Sequence, residues 1–353
     1  VPSDAVIDPR HREARYVEER LRARLLALQH HAVERAAGRG DLDAGRIRDL
    51  EDLLADASAQ LTASEEAPRI AFRIRCALEE RRDARRTVDE SARAWLALHD
   101  HGVRAFGPTD DAVTRAHSFA IRYTRLRGGP AELDDGVSRY ERQLQERRSR
   151  FGLHDQRTHI TRTNLAVALR DRGSPDDFAR ARRILTEEIH DRTADFGPDD
   201  PVTWSALVIM AQTMLCQAES PPTGAVVRQA LCEKALDILQ PILRARQRRF
   251  GPSEVTLQAT LVAAHAELLL SRVEPAAVRI RYVQAVADRT RIRLTPGWAD
   301  CLLARALPPN DPRALASARA ALAARRDYYP PHARQVRDAE QLVVRLASRR
   351  PSP

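Results

Sequence analysis

The sequence predicts an all-α protein built from stacked antiparallel helix pairs, and three observations carry that reading. A short phrase recurs as Phe106-Gly107-Pro108, Phe151-Gly152-Leu153, Phe196-Gly197-Pro198 and Phe250-Gly251-Pro252. The copies are about 45, 45 and 54 residues apart, the length of a two-helix unit. Between them apolar residues recur at helical spacing, while alternating β-branched runs bounded by hairpin turns are absent.

Taken in order, residues 1–105 read as degenerate helical repeats without the phrase. A helix near His11 to Ala37 breaks at Gly38-Arg39-Gly40-Asp41, and another runs near Ala44 to Leu61. Residues 106–250 hold the well-matched repeats. In the unit from Phe151, Ile160, Leu165, Ala168 and Leu169 share one side of a first helix, Gly173-Ser174-Pro175-Asp176 breaks it, and Phe178, Ala181, Ile184, Leu185 and Ile189 line a second. Gly128-Gly129-Pro130 and the insertion from Ser220 to Gly224 are the matching mid-repeat turns. Residues 251–348 read as degenerate repeats with a capping helix, marked by Leu294-Thr295-Pro296 and Tyr329-Pro330-Pro331, and residues 349–353 as a frayed tail. The best candidate breaks, Thr62 to Pro68 and Leu307 to Pro312, are short enough to be inter-helix turns, so one continuous stack is expected.

Physical chemistry accounts for the phrase. Arginines precede it, as at Arg147, Arg148 and Arg150 or Arg244, Arg246, Arg248 and Arg249, where cations suit the negative end of a finishing helix. Glycine then tolerates the left-handed turn, and proline with short polar or acidic residues opens the next helix. If each ring anchors a junction, Phe151→Ala or Phe196→Ala costs about 3 to 5 kcal/mol. Arg148→Ala then costs under about 1 kcal/mol.

Composition narrows the function classes. An apolar share of 43% in 353 residues suffices for a core, which argues against wholesale disorder. No window approaches a transmembrane span and no signal-peptide pattern opens the chain, so a soluble, cytoplasmic protein without membrane partners is expected. The chain begins at Val1, which fits either an alternative start codon or a piece of a longer polypeptide. Cys76, Cys216, Cys232 and Cys301 are scattered and read as reduced core thiols. The net charge of +9 is nearly all arginine, Lys234 being the only lysine, and it is interleaved with acid, as from Glu79 to Glu90. Arginine, alanine and leucine are what a GC-rich genome supplies, and no concentrated basic stripe exists.

Catalytic constellations are missing. There is no phosphate-binding glycine loop, no nucleophile elbow and no zinc-protease helix motif. Asp110-Asp111 and Asp199-Asp200 sit at predicted helix starts and read as caps. His30-His31 and the pair His99 and His101 read as surface histidines, so no metal site, cofactor or catalytic residue is assigned.

Three stretches, Asn164 to Gly173, Ala181 to Ile189 and Phe196 to Trp204, resemble the tetratricopeptide repeats of kinesin-light-chain-like proteins of the actinobacterial type. The resemblance is strong from about Phe106 to Phe250 and weaker beyond. It departs at Ala218 and Arg272, which replace the mid-repeat glycine, and at the Ser220 to Gly224 insertion. It implies a right-handed superhelical solenoid whose concave face, lined by first helices, reads a protein or peptide. The implied groove residues are Arg115, Phe119, Arg122, Thr163, Asn164, Arg170, Ser205 and Gln212. Asn164 stands where the resembled family often hydrogen-bonds a ligand backbone, although an ordinary inter-helix hydrogen bond is the more common role, and Phe119 reads more readily as core. The basic clamp four residues before the asparagine is replaced by Ile160 and Ser205, with only Arg115 fitting. Ala263, Ala266 and Leu269 make the later groove apolar enough for an amphipathic helix or the protein's own segment. The expected function is a non-enzymatic binding scaffold, either an adaptor or the sensor part of a regulator. Nucleic-acid-linked regulation through arginine-rich helix ends and catalysis by an unrecognised site are the alternatives.

Overall fold

The computed structural model describes residues 42–59 and 67–348, with Glu19 and Ala23 besides. The helix expected from His11 to Ala37, the turn at Gly38 to Asp41 and the tail at 349–353 lie outside the described residues. Among the described residues there is no strand. The helices are α1 (Leu42–Ala59), α2 (Ala67–Arg82), α3 (Val88–Phe106), α4 (Asp111–Leu126), α5 (Pro130–Phe151), α6 (Gln156–Arg172) and α7 (Pro175–Phe196). They continue as α8 (Pro201–Glu219), α9 (Ala225–Phe250), α10 (Glu254–Leu269), α11 (Val273–Thr290), α12 (Trp298–Ala306), α13 (Pro312–Tyr328) and α14 (Arg334–Ala347). No described helix is long and apolar enough to cross a membrane.

The chain forms two compact units, residues 1–120 and 121–353, which divide inside α4 rather than at either expected break. In the first unit α1 and α2 join through Leu50, Leu53, Ile70, Ile74 and Leu78. Thr87 and Glu90 form a reciprocal capping box at the start of α3. Trp95 is fully buried and its indole N–H donates to Asp83 at 2.8 Å.

In the second unit every helix from α5 to α14 packs on the next, and the first helices α6, α8, α10 and α12 also touch in a row. Its core runs without a gap from Ile121 through Leu165, Leu215 and Leu239 to Ala266. The mid-repeat turns are built as their residues require. Gly173 closes α6 in the left-handed region, and Ser174 and Asp177 form a capping box with Pro175 at the first position of α7.

The aromatic-glycine phrase is a helix stop followed by a helix start. Gly152 has φ 84° and ψ −177°, and Gly107, Gly197 and Gly251 also have positive φ, in a region closed to residues with a Cβ. After the first three phrases the next helix opens on an aspartate, and after Gly251 on Ser253. Asp110, Asp155 and Asp200 accept from the amides of Ala112, Arg157 and Val202 at 2.7 to 2.9 Å, so Asp110 and Asp200 are caps as expected. Thr158 and Thr203 then donate back to the carbonyls of Gly152 and Gly197 at 2.8 and 2.9 Å.

The junctions are held by arginine more than by the rings. Arg147, Arg192, Arg246 and Arg325 each stand four residues before the aromatic, are all buried, and each donates into the first turn of the next helix. Their acceptors are the carbonyls of Arg157, Val202, Val255 and Gln335, at 2.6 to 2.9 Å. Each thus satisfies a carbonyl at a junction while threading its aliphatic stem through the core. The rings lie nearer the surface. Phe196 is 44% exposed, and Phe151 is half-buried with the Arg157 guanidinium 3.4 Å from its centroid. The anchoring role expected of Phe196 therefore passes to Arg192. In the first unit Gly102 takes the arginine's place before Phe106, tight against Phe72 and Val113.

Candidate functional site

The residues expected to line one groove fall in different settings. In the first unit Arg115 pairs with Glu80 at 2.8 Å, and Phe119 stacks on Trp95 with centroids 4.4 Å apart and planes 13° from parallel. Phe119 is thus a packing residue.

In the second unit Thr163 is buried. Its hydroxyl donates to the His159 carbonyl and accepts from Arg192 at 2.8 Å. Ser205 likewise donates to the Pro201 carbonyl and accepts from Arg246 at 3.3 Å. Both hold junction arginines. Arg170 and Gln212 do come together, the guanidinium donating to the amide oxygen at 3.0 Å, and Arg170 also pairs with Asp171. Arg122 is exposed with its guanidinium 5.7 Å from the Tyr123 ring centre. Asn164 is half-buried and, among the described residues, makes no side-chain hydrogen bond.

Those contacts form part of a polar ladder along the first helices. Buried Arg125 of α4 pairs with Asp171 of α6, and Arg170 of α6 reaches Gln212 of α8. Glu219 of α8 meets His265 of α10 at 3.1 Å and Arg305 of α12 at 2.8 Å. Burial alone would raise the Glu219 carboxyl, but His265 and Arg305 outweigh it and hold the group down at about 2. The chain's own C-terminal segment also approaches this face. Ala333, at the start of α14, lies against Gly128 so closely that a Cβ there would sit 3.3 Å from the Ala333 backbone.

Between α7, α8 and α9 lies an open cleft of about 450 Å³. Leu207, Met210 and Met214, on one stripe of α8, form its floor, and Ile189 and Ile238 form its walls. Arg183 and Lys234, both exposed, stand at its rim. Sequence reasoning missed it because it assigned ligand contact to the first helices alone, whereas two of its three sides are second helices.

A second feature it missed is a polar cluster between α6 and α7. His159, 1% exposed, places Nδ1 3.1 Å from Glu188 Oε1 and Nε2 3.1 Å from Asp195 Oδ2. Exposed His154 places Nδ1 3.1 Å from the same Asp195 oxygen. Hydrogen bonds from His154 and His159 hold the Asp195 carboxyl below the usual carboxylate range. Glu188 is wholly buried and is met by Arg192 and, at 3.2 Å, by Arg162. One nitrogen each from His154 and His159 and one oxygen of Asp195 lie within 4.8 Å of one another, a geometry that could hold a metal ion. The sequence alone assigns no metal ligand to these residues. Of the histidine pairs picked out earlier, His30-His31 lies outside the described residues, while His99 stacks on His117 and His101 on Phe72.

The cysteines are free thiols. Burial pushes Cys76 up to about 12 and Cys232 to about 11, so neither is poised as a nucleophile. No protein-family model matches the sequence, and no curated protein matches it.

Proposed function

We propose that the chain is a non-enzymatic scaffold of tetratricopeptide type, wound as a superhelical solenoid, that binds a peptide segment of a partner protein. The observation that carries the reading is the cleft between α7, α8 and α9, whose 450 Å³ or so is within the range of ordinary ligand sites. Its methionine floor adapts to varied apolar side chains, and its cationic rim selects against basic partners. The occupant we infer is an amphipathic helix with two or three apolar side chains flanked by Glu or Asp. The concave face contributes less than the resemblance implies, because Arg170 and Gln212 bind each other and Thr163 and Ser205 hold arginines. The nucleic-acid reading loses ground for a related reason. Arg147, Arg192, Arg246 and Arg325, at helix ends, point into the protein toward carbonyls.

Fluorescence anisotropy with a set of labelled acidic amphipathic peptides tests the proposal. Saturable binding that Arg183→Glu and Lys234→Glu each weaken at least tenfold, with unchanged melting, is expected. Because Lys234 is the only lysine, an amine-reactive reagent should modify its side chain and a bound peptide should shield it. Affinity indifferent to both charge reversals contradicts the proposal.

A further inference from the structure

The polar cluster between α6 and α7 is not something the repeat requires. His159 and Trp204 occupy the same place in successive units, the fourth position of a first helix, each amide donating to the carbonyl of the capping aspartate. Each ring meets the aromatic of its own closing phrase edge-on, 6.0 Å to Phe196 and 6.5 Å to Phe250. Eight residues before that aromatic stand Glu188 and Ile242, both buried, and one residue before it stand Asp195 and Arg249. Trp204 and Ile242 meet every packing demand of the position. The polar replacements in the neighbouring unit answer a different demand.

The donor set identifies it. Nδ1 of His159 lies 3.1 Å from buried Glu188 and Nε2 of the same ring lies 3.1 Å from Asp195. His154 adds a third donor atom from the exposed side. A tetrahedral metal with bonds of about 2.0 to 2.2 Å sets its ligand atoms roughly 3.3 to 3.6 Å apart, close to the 3.1 Å from each imidazole nitrogen to the shared Asp195 oxygen. A carboxylate on the far nitrogen of a metal-bound histidine is the usual way such a ring is oriented. Two imidazoles and one carboxylate suit zinc-class ions and not Mg²⁺ or Ca²⁺.

We propose that His154, His159 and Asp195 bind one divalent transition-metal ion of the zinc class, with Glu188 as the positioning residue. The fourth coordination place is open to water or to a group from a partner.

The test uses the full chain, stripped with a chelator and titrated with Zn²⁺ by calorimetry and with Co²⁺ by visible absorption. One ion per chain, the bands of four-coordinate Co²⁺ and no response to Mg²⁺ are expected. His154→Ala and Asp195→Ala should each weaken binding at least tenfold, and His154→Ala, at an exposed ring, should leave the metal-free melting curve unchanged. Glu188→Gln should weaken it by about 10- to 100-fold and keep the four-coordinate bands. The proposal is overturned by no saturable binding up to about 100 μM Zn²⁺, or by binding that both surface variants leave intact.

Discussion

Two successive units of the same architecture, one closing at Phe196 and the next at Phe250, solve the same junction with opposite chemistry. In the first, the buried arginine Arg192 lies against a buried carboxylate, Glu188, with His159 beside it. In the second, Arg246 has no carboxylate within reach among the described residues. It relies on the Val255 carbonyl and the Ser205 hydroxyl, and burial alone lowers its guanidinium to about 10. The repeat therefore fixes the arginine and its target carbonyl and leaves the surrounding shell free. An apolar shell is sufficient for stability, so a polar one marks a place where something besides stability is at work.

Variants can break or sharpen this contrast. Trp204→Ala removes the apolar filler of the second unit and should cost about 3 to 5 kcal/mol in urea unfolding. Arg192→Met leaves the buried Glu188 charge without its closest cation and should cost about 3 kcal/mol. Arg246→Met gives up only hydrogen bonds and should cost about 1 to 2 kcal/mol. Equal losses from the two arginine variants would mean that Arg192 and Glu188 are not coupled. Phe196→Ala, at a ring nearly half exposed, should cost about 1 to 2 kcal/mol, below the 3 to 5 kcal/mol that anchoring demands.

Glu219 gives a pH signature. Its carboxyl is held at about 2, below its ordinary value, so its contribution to stability is complete above about pH 5 and disappears as pH falls toward 2. The stability gap between wild type and Glu219→Gln should therefore close over that interval in acid titrations followed by circular dichroism. A constant gap contradicts the pairing with His265 and Arg305. Arg148→Ala, on an exposed face one residue past a buried arginine, should change stability by under about 0.5 kcal/mol.

Much of this fold was legible in the chain. Spacing of the phrase, the glycine stops and the aspartate caps at Asp110 and Asp200 all follow from local rules, because each acts within a few residues of itself. The arginine clamp was legible only in part. Arg147, Arg192, Arg246 and Arg325 recur four residues before an aromatic, yet arginine is so abundant that their burial has no compositional signal, and they read as dipole partners. Exposure of Phe196 was hidden because periodicity does not say which way the last residue of a helix points. For the candidate site a signal existed. Thr158-His159 aligns with Thr203-Trp204 and Thr256-Leu257, which makes His159 the odd member of an apolar position. Its partners Glu188 and Asp195 are 29 and 36 residues away and meet it only once α6 and α7 pair.

The most direct test transplants one unit's shell into the other by making His159→Trp, Glu188→Ile and Asp195→Arg together, then compares melting with and without Zn²⁺. If the units are interchangeable in architecture, the triple variant folds cooperatively with wild-type helix content and does not respond to the metal, while the wild type melts higher in its presence. A triple variant that fails to fold, or that still gains from Zn²⁺, would contradict the equivalence.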